Sequence, residues 1–320
     1  MNFRTFEDLT RIISNNIYKI PSDVDLIVGI PKSGLMAASI ISLHLNLPLT
    51  DIDSFLEDKI YTSGTTKVRE DWIKKVSDAR KILIVDDSII TGKTYKSNIE
   101  KLKKSKYKKK IITLVVIATE ETKDIPDIYF DICPSPRLFE WNYMHHPLLG
   151  SACVDIDGVL CQDPTEEEND DGEKYINFIS NVKPRVVPTQ EIGYLVTTRL
   201  EKYRKYTEKW LKKNNIKYRE LIMLNLESKE ERIKLGNHGQ YKGEEYLKLP
   251  NTLIFIESSE HQAPIIANTS GKPVFCVDNG KLYLPTTTKT VTKKERKIRN
   301  LIRRYIPLEF RKKLKKIVKK

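Results

Sequence analysis

Lys81-Ile-Leu-Ile-Val-Asp-Asp-Ser-Ile-Ile-Thr-Gly-Lys-Thr94 is the stretch on which the reading of this chain turns. Ile82 to Val85 is a short, wholly apolar run rich in β-branched residues, the pattern of a parallel strand covered on both faces. Two carboxylates, Asp86 and Asp87, follow at its C-terminal end. Thr91-Gly92-Lys93-Thr94 then supplies hydroxyls, a glycine that lets backbone N–H groups approach a ligand, and the start of a helix whose N-terminus attracts anions. A ligand carrying both a diol and a phosphate suits this set.

Working outward, Phe6, Leu9, Ile12, Ile13 and Ile17 recur at helical spacing, so an amphipathic helix is expected to end before Pro21. Asp25 to Ile30 reads as a buried strand. Pro31-Lys32-Ser33-Gly34 turns it into a helix over Leu35 to Leu45, and a small, donor-rich turn after a strand is a second anion cradle. Leu49 to Phe55 is expected to be another strand, followed by a polar, loop-like segment from Glu57 to Trp72. Beyond the central stretch a helix should run to about Lys104, ending in seven lysines within residues 101–110, a solvated end or a contact for an anionic surface. Ile111 to Ala118 and Ile128 to Ile132 complete an alternating β/α set, hence a mostly parallel sheet. The aromatic-rich segment from Leu138 to Gly150, with His145 and His146, reads as packing rather than catalysis.

The central stretch resembles the signature of the type I phosphoribosyltransferases, which bind 5-phosphoribosyl-1-pyrophosphate (PRPP). The resemblance implies that Asp86 and Asp87 meet the ribose hydroxyls. Ser88, Thr91, Gly92, Lys93 and Thr94 would complete the cradle around the 5-phosphate, and Lys32, Ser33 and Gly34 would meet the pyrophosphate. It also implies a flexible hood over residues 57–72 that excludes water. In purine-salvage relatives an Asp directly precedes the Thr-Gly; here that position is Ile90.

A second β/α series begins at Ser151. Its first strand ends in Val154-Asp155-Ile156-Asp157-Gly158, with aspartates two apart and a glycine that permits a sharp turn. This resembles the first motif of the haloacid dehalogenase-like phosphatases, and Thr197 at the end of a strand from Ile192, Lys242 at the opening of a helix, and Glu257 at the end of a strand from Leu253 fall in the order of the later ones. The resemblance implies that Asp155 is a nucleophile forming an aspartyl-phosphate and that Asp157 moves the proton. Thr197 and Lys242 would hold the phosphoryl oxygens, and Mg²⁺ would sit between Asp155, the carbonyl of Asp157 and Glu257. The fourth motif departs from the common pair of adjacent acids, reading Glu257-Ser258-Ser259-Glu260. The acidic insert Thr165 to Glu173 is either a flap near the site or a solvated loop.

With 320 residues the length suits two domains. Four cysteines without paired spacing suit a reducing compartment, and the histidines and cysteines form no zinc pattern. The net charge is +13, but residues 293–320 hold fourteen Lys or Arg against two Glu, so the body is nearly neutral and no nucleic-acid surface is expected. No signal peptide or spanning segment is expected. The tail shows apolar residues at Ile298, Leu301, Ile302, Tyr305 and Ile306, then at Phe310, Leu314, Ile317 and Val318. That pattern fits two basic amphipathic helices at an anionic membrane surface, with nucleic acid or packing against the body as alternatives.

The expected fold class is α/β. It comprises two Rossmann-like domains with mostly parallel sheets: a phosphoribosyltransferase domain over 1–138, a linker over 139–150, and a phosphatase domain over 151–286, with the amphipathic tail over 287–320. The paired resemblances imply a bifunctional enzyme similar to those that install ribofuranose in bacterial surface polysaccharides. It would transfer 5-phosphoribosyl from PRPP to a glycan hydroxyl, releasing pyrophosphate, and then remove the 5-phosphate. The implied partners are PRPP, Mg²⁺ and a lipid-linked glycan at the inner face of the cytoplasmic membrane. A nucleotide-metabolism phosphoribosyltransferase with an attached phosphatase, and a non-catalytic PRPP sensor, are the alternatives. Oligomeric state is not legible.

Overall fold

The structure is a computed structural model in which residues 1–61 and 72–286 are described. Most of the expected hood and the whole basic tail lie outside the described residues.

The first half runs β1 (Asn2–Arg4), α1 (Phe6–Asn16), β2 (Leu26–Gly29), α2 (Ser33–Leu45), β3 (Leu49–Asp51), α3 (Ile52–Leu56), β4 (Lys81–Ser88), α4 (Lys93–Lys104), β5 (Lys110–Ala118), β6 (Ile128–Ile132) and β7 (Arg137–Phe139). Five of these strands form one parallel sheet in the order β3-β2-β4-β5-β6. The chain leaves β2 toward one edge, returns, and leaves β4 toward the other. The turns after β2 and β4 therefore flank the place where strand order reverses, the crevice in which open α/β sheets bind ligands. Ile82 to Val85 are wholly buried, as their apolar run demands; each such side chain contributes about 1.5–3 kcal/mol on leaving water.

The second half runs β8 (Ala152–Val154), α5 (Glu173–Asn181), β9 (Ile192–Leu200), α6 (Arg204–Lys213), β10 (Tyr218–Leu224), α7 (Lys229–Leu235), α8 (His238–Lys248), β11 (Ile254–Glu257), α9 (Gln262–Ser270), β12 (Val274–Cys276) and β13 (Lys281–Tyr283). Its sheet order is β10-β9-β8-β11-β12-β13, parallel except for the last pair. Here the order reverses between β8 and β11. Asp155 follows the first of these strands and Glu257 ends the second, so topology alone brings them to one crevice.

Several expectations are corrected. The strand expected over Leu49 to Phe55 stops at Asp51, whose carboxylate accepts from Ser54 N at 2.7 Å and caps α3. Lys242 does not open its helix; α8 begins at His238 and places Lys242 in its second turn. Segment 139–150 is not a free linker. It forms 3₁₀ turns, and Leu138, Met144 and Leu149 are buried in the core of the second half together with Phe3. Phe3 stands on β1, which pairs with β7, and its ring lies 4.5 Å from that of Phe275. Strands of three residues carry too little periodicity to be seen in sequence, which is why β1 and β7 went unread. All four cysteines are free and buried, and no helix among the described residues is long and apolar enough to cross a membrane.

Candidate functional sites

The first cavity, about 240 Å³, opens at the C-terminal end of β4 and is lined by Asp86, Ser88, the run from Ile89 to Tyr95, Arg137, Phe139, Asn142 and His146. Adjacent strand residues point to opposite faces, and the two acids part accordingly. Asp86 lines the cavity. Asp87 does not: its Oδ2 accepts from Trp141 Nε1 at 2.9 Å and from Ser88 Oγ at 3.1 Å. Burial first, and the neighbouring charge of Asp87 second, push the Asp86 carboxyl up to about 8.

Thr91, Gly92, Lys93 and Thr94 all line this cavity at the start of α4. No side chain caps that helix, and the nearest substitute, Thr91 Oγ1, is 3.5 Å from Lys93 N. The first turn thus presents amide donors with little internal claim on them, the arrangement that attracts phosphate. Lys32, Ser33 and Gly34 do not line the cavity, but the turn they form abuts it. A Cβ on Gly34 would stand 2.7 Å from Asp86 Oδ1 and 2.9 Å from its Cα, so only glycine lets the two turns approach this closely.

Lining residues that the sequence reading did not assign to the site include Arg137, Phe139, Asn142 and His146. Arg137 is almost wholly buried. Its Nη1 donates to the carbonyls of Ala118 and Cys133, its Nη2 donates to that of Ile89, and its guanidinium lies over the Phe139 ring. His146 Nδ1 accepts from Leu148 N at 3.1 Å, so the neutral ring carries its proton on Nε2. Burial and the nearby Arg137 lower its pKa. In that tautomer Nε2 is a donor site rather than an acceptor. Only the aromatic composition of 138–150 hinted at this wall.

The second cavity, about 520 Å³, sits at the β8/β11 crevice. Lys242 Nζ donates to Asp155 Oδ2 at 2.5 Å and to Glu257 Oε2 at 2.7 Å, and all three side chains are nearly inaccessible. Burial, followed by the charges of Glu257 and Asp157, raises the Asp155 carboxyl to about 7 against the opposing pull of Lys242. Gly158 has φ +77°, and a Cβ there would lie 2.1 Å from Ser258 Oγ; the turn after Asp157 accepts no side chain.

Asp157 lines the cavity, but its carboxylate is held by Arg199, which donates from Nη2 at 2.6 Å and from Nε at 3.0 and 3.2 Å. Arg199 is fully buried and was not foreseen. Thr197 is also buried and accepts from Arg199 N at 3.2 Å; its neighbour Thr198 is the one that lines the cavity. The acidic insert is part of the wall, contributing Asn169, with Asp171 pairing with Lys202 and accepting from Tyr203 Oη and Lys229 N.

The expected metal set is only partly gathered. Among the described residues no three acidic, His or Cys side chains stand at metal-holding distance. Asp157 is turned to Arg199, and Lys242 lies between Asp155 and Glu257. What remains, two carboxylates and the Asp157 carbonyl, is an oxygen-only set of the kind Mg²⁺ takes while keeping several waters. Asp163, Glu260 and Asp278 add further negative charge to the walls, so a divalent cation fits the charge balance.

Comparison with known proteins adds to this geometry. Residues 3–148 match the family described as "Phosphoribosyl transferase domain". Over 92 residues the chain is 33% identical to an amidophosphoribosyltransferase of Synechococcus elongatus, covering 26% of this chain and 19% of the relative. Over 94 residues it is 30% identical to an amidophosphoribosyltransferase of Staphylococcus epidermidis, covering 27% and 19%. The chain thus spans about a fifth of the length of these relatives. Among solved structures, a purine phosphoribosyltransferase from Pyrococcus horikoshii is 26% identical, with a TM-score of 0.32 over 44% of this chain and 92% of that one. A xanthine-guanine-hypoxanthine phosphoribosyltransferase from Helicobacter pylori is 16% identical, with a TM-score of 0.31 over 44% and 90%. On the family match and the strand order together, the N-terminal part of this chain carries a phosphoribosyl transferase domain.

Proposed function

We propose that the chain is a bifunctional ribofuranosyltransferase that moves 5-phosphoribosyl from PRPP to a glycan hydroxyl and then removes the 5-phosphate. The observation that carries this reading is the buried Asp155–Lys242–Glu257 cluster at the switch point of a second sheet, on the same chain as a phosphoribosyl transferase domain. A phosphatase beside such a domain makes chemical sense when the transferred sugar must end without its phosphate.

In the first cavity, Thr91 to Thr94 and the open first turn of α4 hold the 5-phosphate, and Asp86 meets a ribose hydroxyl. Asp87 acts indirectly, fixing the end of β4 through Trp141. Lys32, Ser33 and Gly34 flank the pyrophosphate. Loss of pyrophosphate leaves positive charge at the ribosyl carbon, which exclusion of water protects from hydrolysis until the acceptor hydroxyl attacks. In the second cavity Asp155 attacks phosphorus as the ester P–O bond breaks, and Asp157 gives a proton to the departing sugar oxygen; water that passes its proton to Asp157 then cleaves the aspartyl-phosphate and releases inorganic phosphate. Lys242 holds Asp155 in place. Mg²⁺, held by Asp155, the Asp157 carbonyl and Glu257, would supply neutralisation of the phosphoryl charge. The basic tail would keep the enzyme at an anionic membrane surface, next to a lipid-linked acceptor.

A second reading, a nucleotide-metabolism phosphoribosyltransferase with an attached phosphatase, draws support from the amidophosphoribosyltransferases among the relatives. Mass spectrometry of an acceptor glycan incubated with PRPP and Mg²⁺ separates them. The wild type is expected to add an anhydropentose unit, and Asp155→Asn to stop at the phosphorylated form. Consumption of a nucleobase with no change in any glycan overturns the glycan reading.

A further inference from the structure

The second cavity poses a charge problem for any phosphorylated ligand. Its walls carry Asp155, Asp157, Asp163, Glu257, Glu260 and Asp278. Two cations offset them and are already engaged: Lys242 lies between Asp155 and Glu257, and Arg199 forks Asp157. A phosphate dianion brought into such a place needs a further positive partner, because charge removed from water without one is costly.

Arg232 on α7 lines the cavity and is nine-tenths buried. Among the described residues it pairs with no carboxylate. Its Nη2 donates to Asn169 Oδ1 at 3.1 Å, its Nη1 reaches the Thr198 carbonyl only at 3.5 Å, the Tyr175 phenol lies against it, and its Nε has no hydrogen-bond partner. A buried guanidinium held by neutral oxygens keeps its charge available. Its planar donors match phosphate geometry better than an ammonium does.

We propose that Arg232 is the phosphoryl-binding cation of the second cavity, selecting phosphomonoesters by gripping their non-bridging oxygens, while Lys242 neutralises Asp155 and Glu257. The inference rests on the phosphatase reading of that cavity and assigns the substrate's charge to a residue that no sequence motif marks. The competing role for Arg232 is mechanical, tying α7 to the acidic insert through Asn169.

The test uses the full chain with Mg²⁺, p-nitrophenyl phosphate as substrate and inorganic phosphate as inhibitor. Arg232→Gln should raise both KM and the phosphate inhibition constant about 10- to 100-fold, the usual weight of a hydrogen bond to a charged group, with kcat changed far less. Arg232→Lys should recover part of the loss, and Lys229→Ala, which cuts a separate tie from α7 to the insert, the bond from Lys229 Nζ to the Asn169 carbonyl, should leave the phosphate constant within about twofold. An unchanged constant in Arg232→Gln, or an equal loss in Lys229→Ala, overturns the proposal while the phosphatase reading stands. If the wild type hydrolyses no phosphomonoester, that reading falls, and peptide-resolved hydrogen exchange decides the binding role. Inorganic phosphate should then slow exchange over 229–242 in the wild type and not in Arg232→Gln; no slowing in the wild type overturns the proposal.

Discussion

Trp141 donates its indole N–H to Asp87 Oδ2 at 2.9 Å, and this bond separates the roles of two adjacent carboxylates. Asp86 is left facing the first cavity, while Asp87 ties the end of β4 to the segment that leads into the second half.

Trp141→Phe keeps the ring stacked on Phe139 but deletes the donor. Asp87 is buried, so the loss is expected to cost about 1–3 kcal/mol, or a fall in Tm of roughly 2–4 °C per kcal/mol in a chain of this size. The KM for PRPP should rise with it. An unchanged melting curve and an unchanged KM would show that the bond carries no weight.

Asp86 sets the pH dependence of stability in this region. Its carboxyl is raised to about 8 in the folded chain by burial and by Asp87. Between about pH 4, near the unfolded value, and about pH 8 the native state holds this proton more firmly than the unfolded one. Its contribution is therefore full at low pH and declines as pH rises through that window. Asp86→Asn should be more stable than the wild type at pH 8, little different near pH 4, and inactive in transfer. Urea titrations at the two pH values check the first point, and pyrophosphate release checks the second.

Lys242→Met leaves Asp155 and Glu257 buried without their shared cation. Breaking such a cluster by removing one partner typically costs about 3–5 kcal/mol. Adding Asp155→Asn and Glu257→Gln to Lys242→Met should recover much of that stability but no hydrolysis. If the triple variant melts no higher than Lys242→Met alone, the cluster is not the source of the loss.

Arg199→Lys retains a charge but not the two-pronged contact with Asp157, and bidentate sites tolerate that exchange poorly. On the proposed function, phosphate release is expected to fall by at least about tenfold, with pyrophosphate release unaffected, since Arg199 belongs to the second half alone. Parallel assays of pyrophosphate release and phosphate release distinguish the two activities. An equal loss of both would mean that the substitution disturbs the whole fold.

Local patterning marks the apolar strands of both halves and the turns that end at chemistry, while the three-residue strands β1 and β7 leave no trace in it. Apolar runs such as Ile82 to Val85 and the residues after them are local properties, and Asp86, Thr91 to Thr94, Asp155 and Lys242 could be named from them. Which way those residues face, and what meets them, follows from packing between distant stretches. Pleating sends Asp87 away from Asp86 toward Trp141, and the packing of segment 137–146 brings Arg137, Phe139, Asn142 and His146 to the first cavity. Strand order places Asp155 beside Glu257 across about a hundred residues. Arg199 and Arg232 stand in no motif, because the need for them arises from the charge that the folded chain concentrates around them, and that concentration is not a property of any one stretch of sequence.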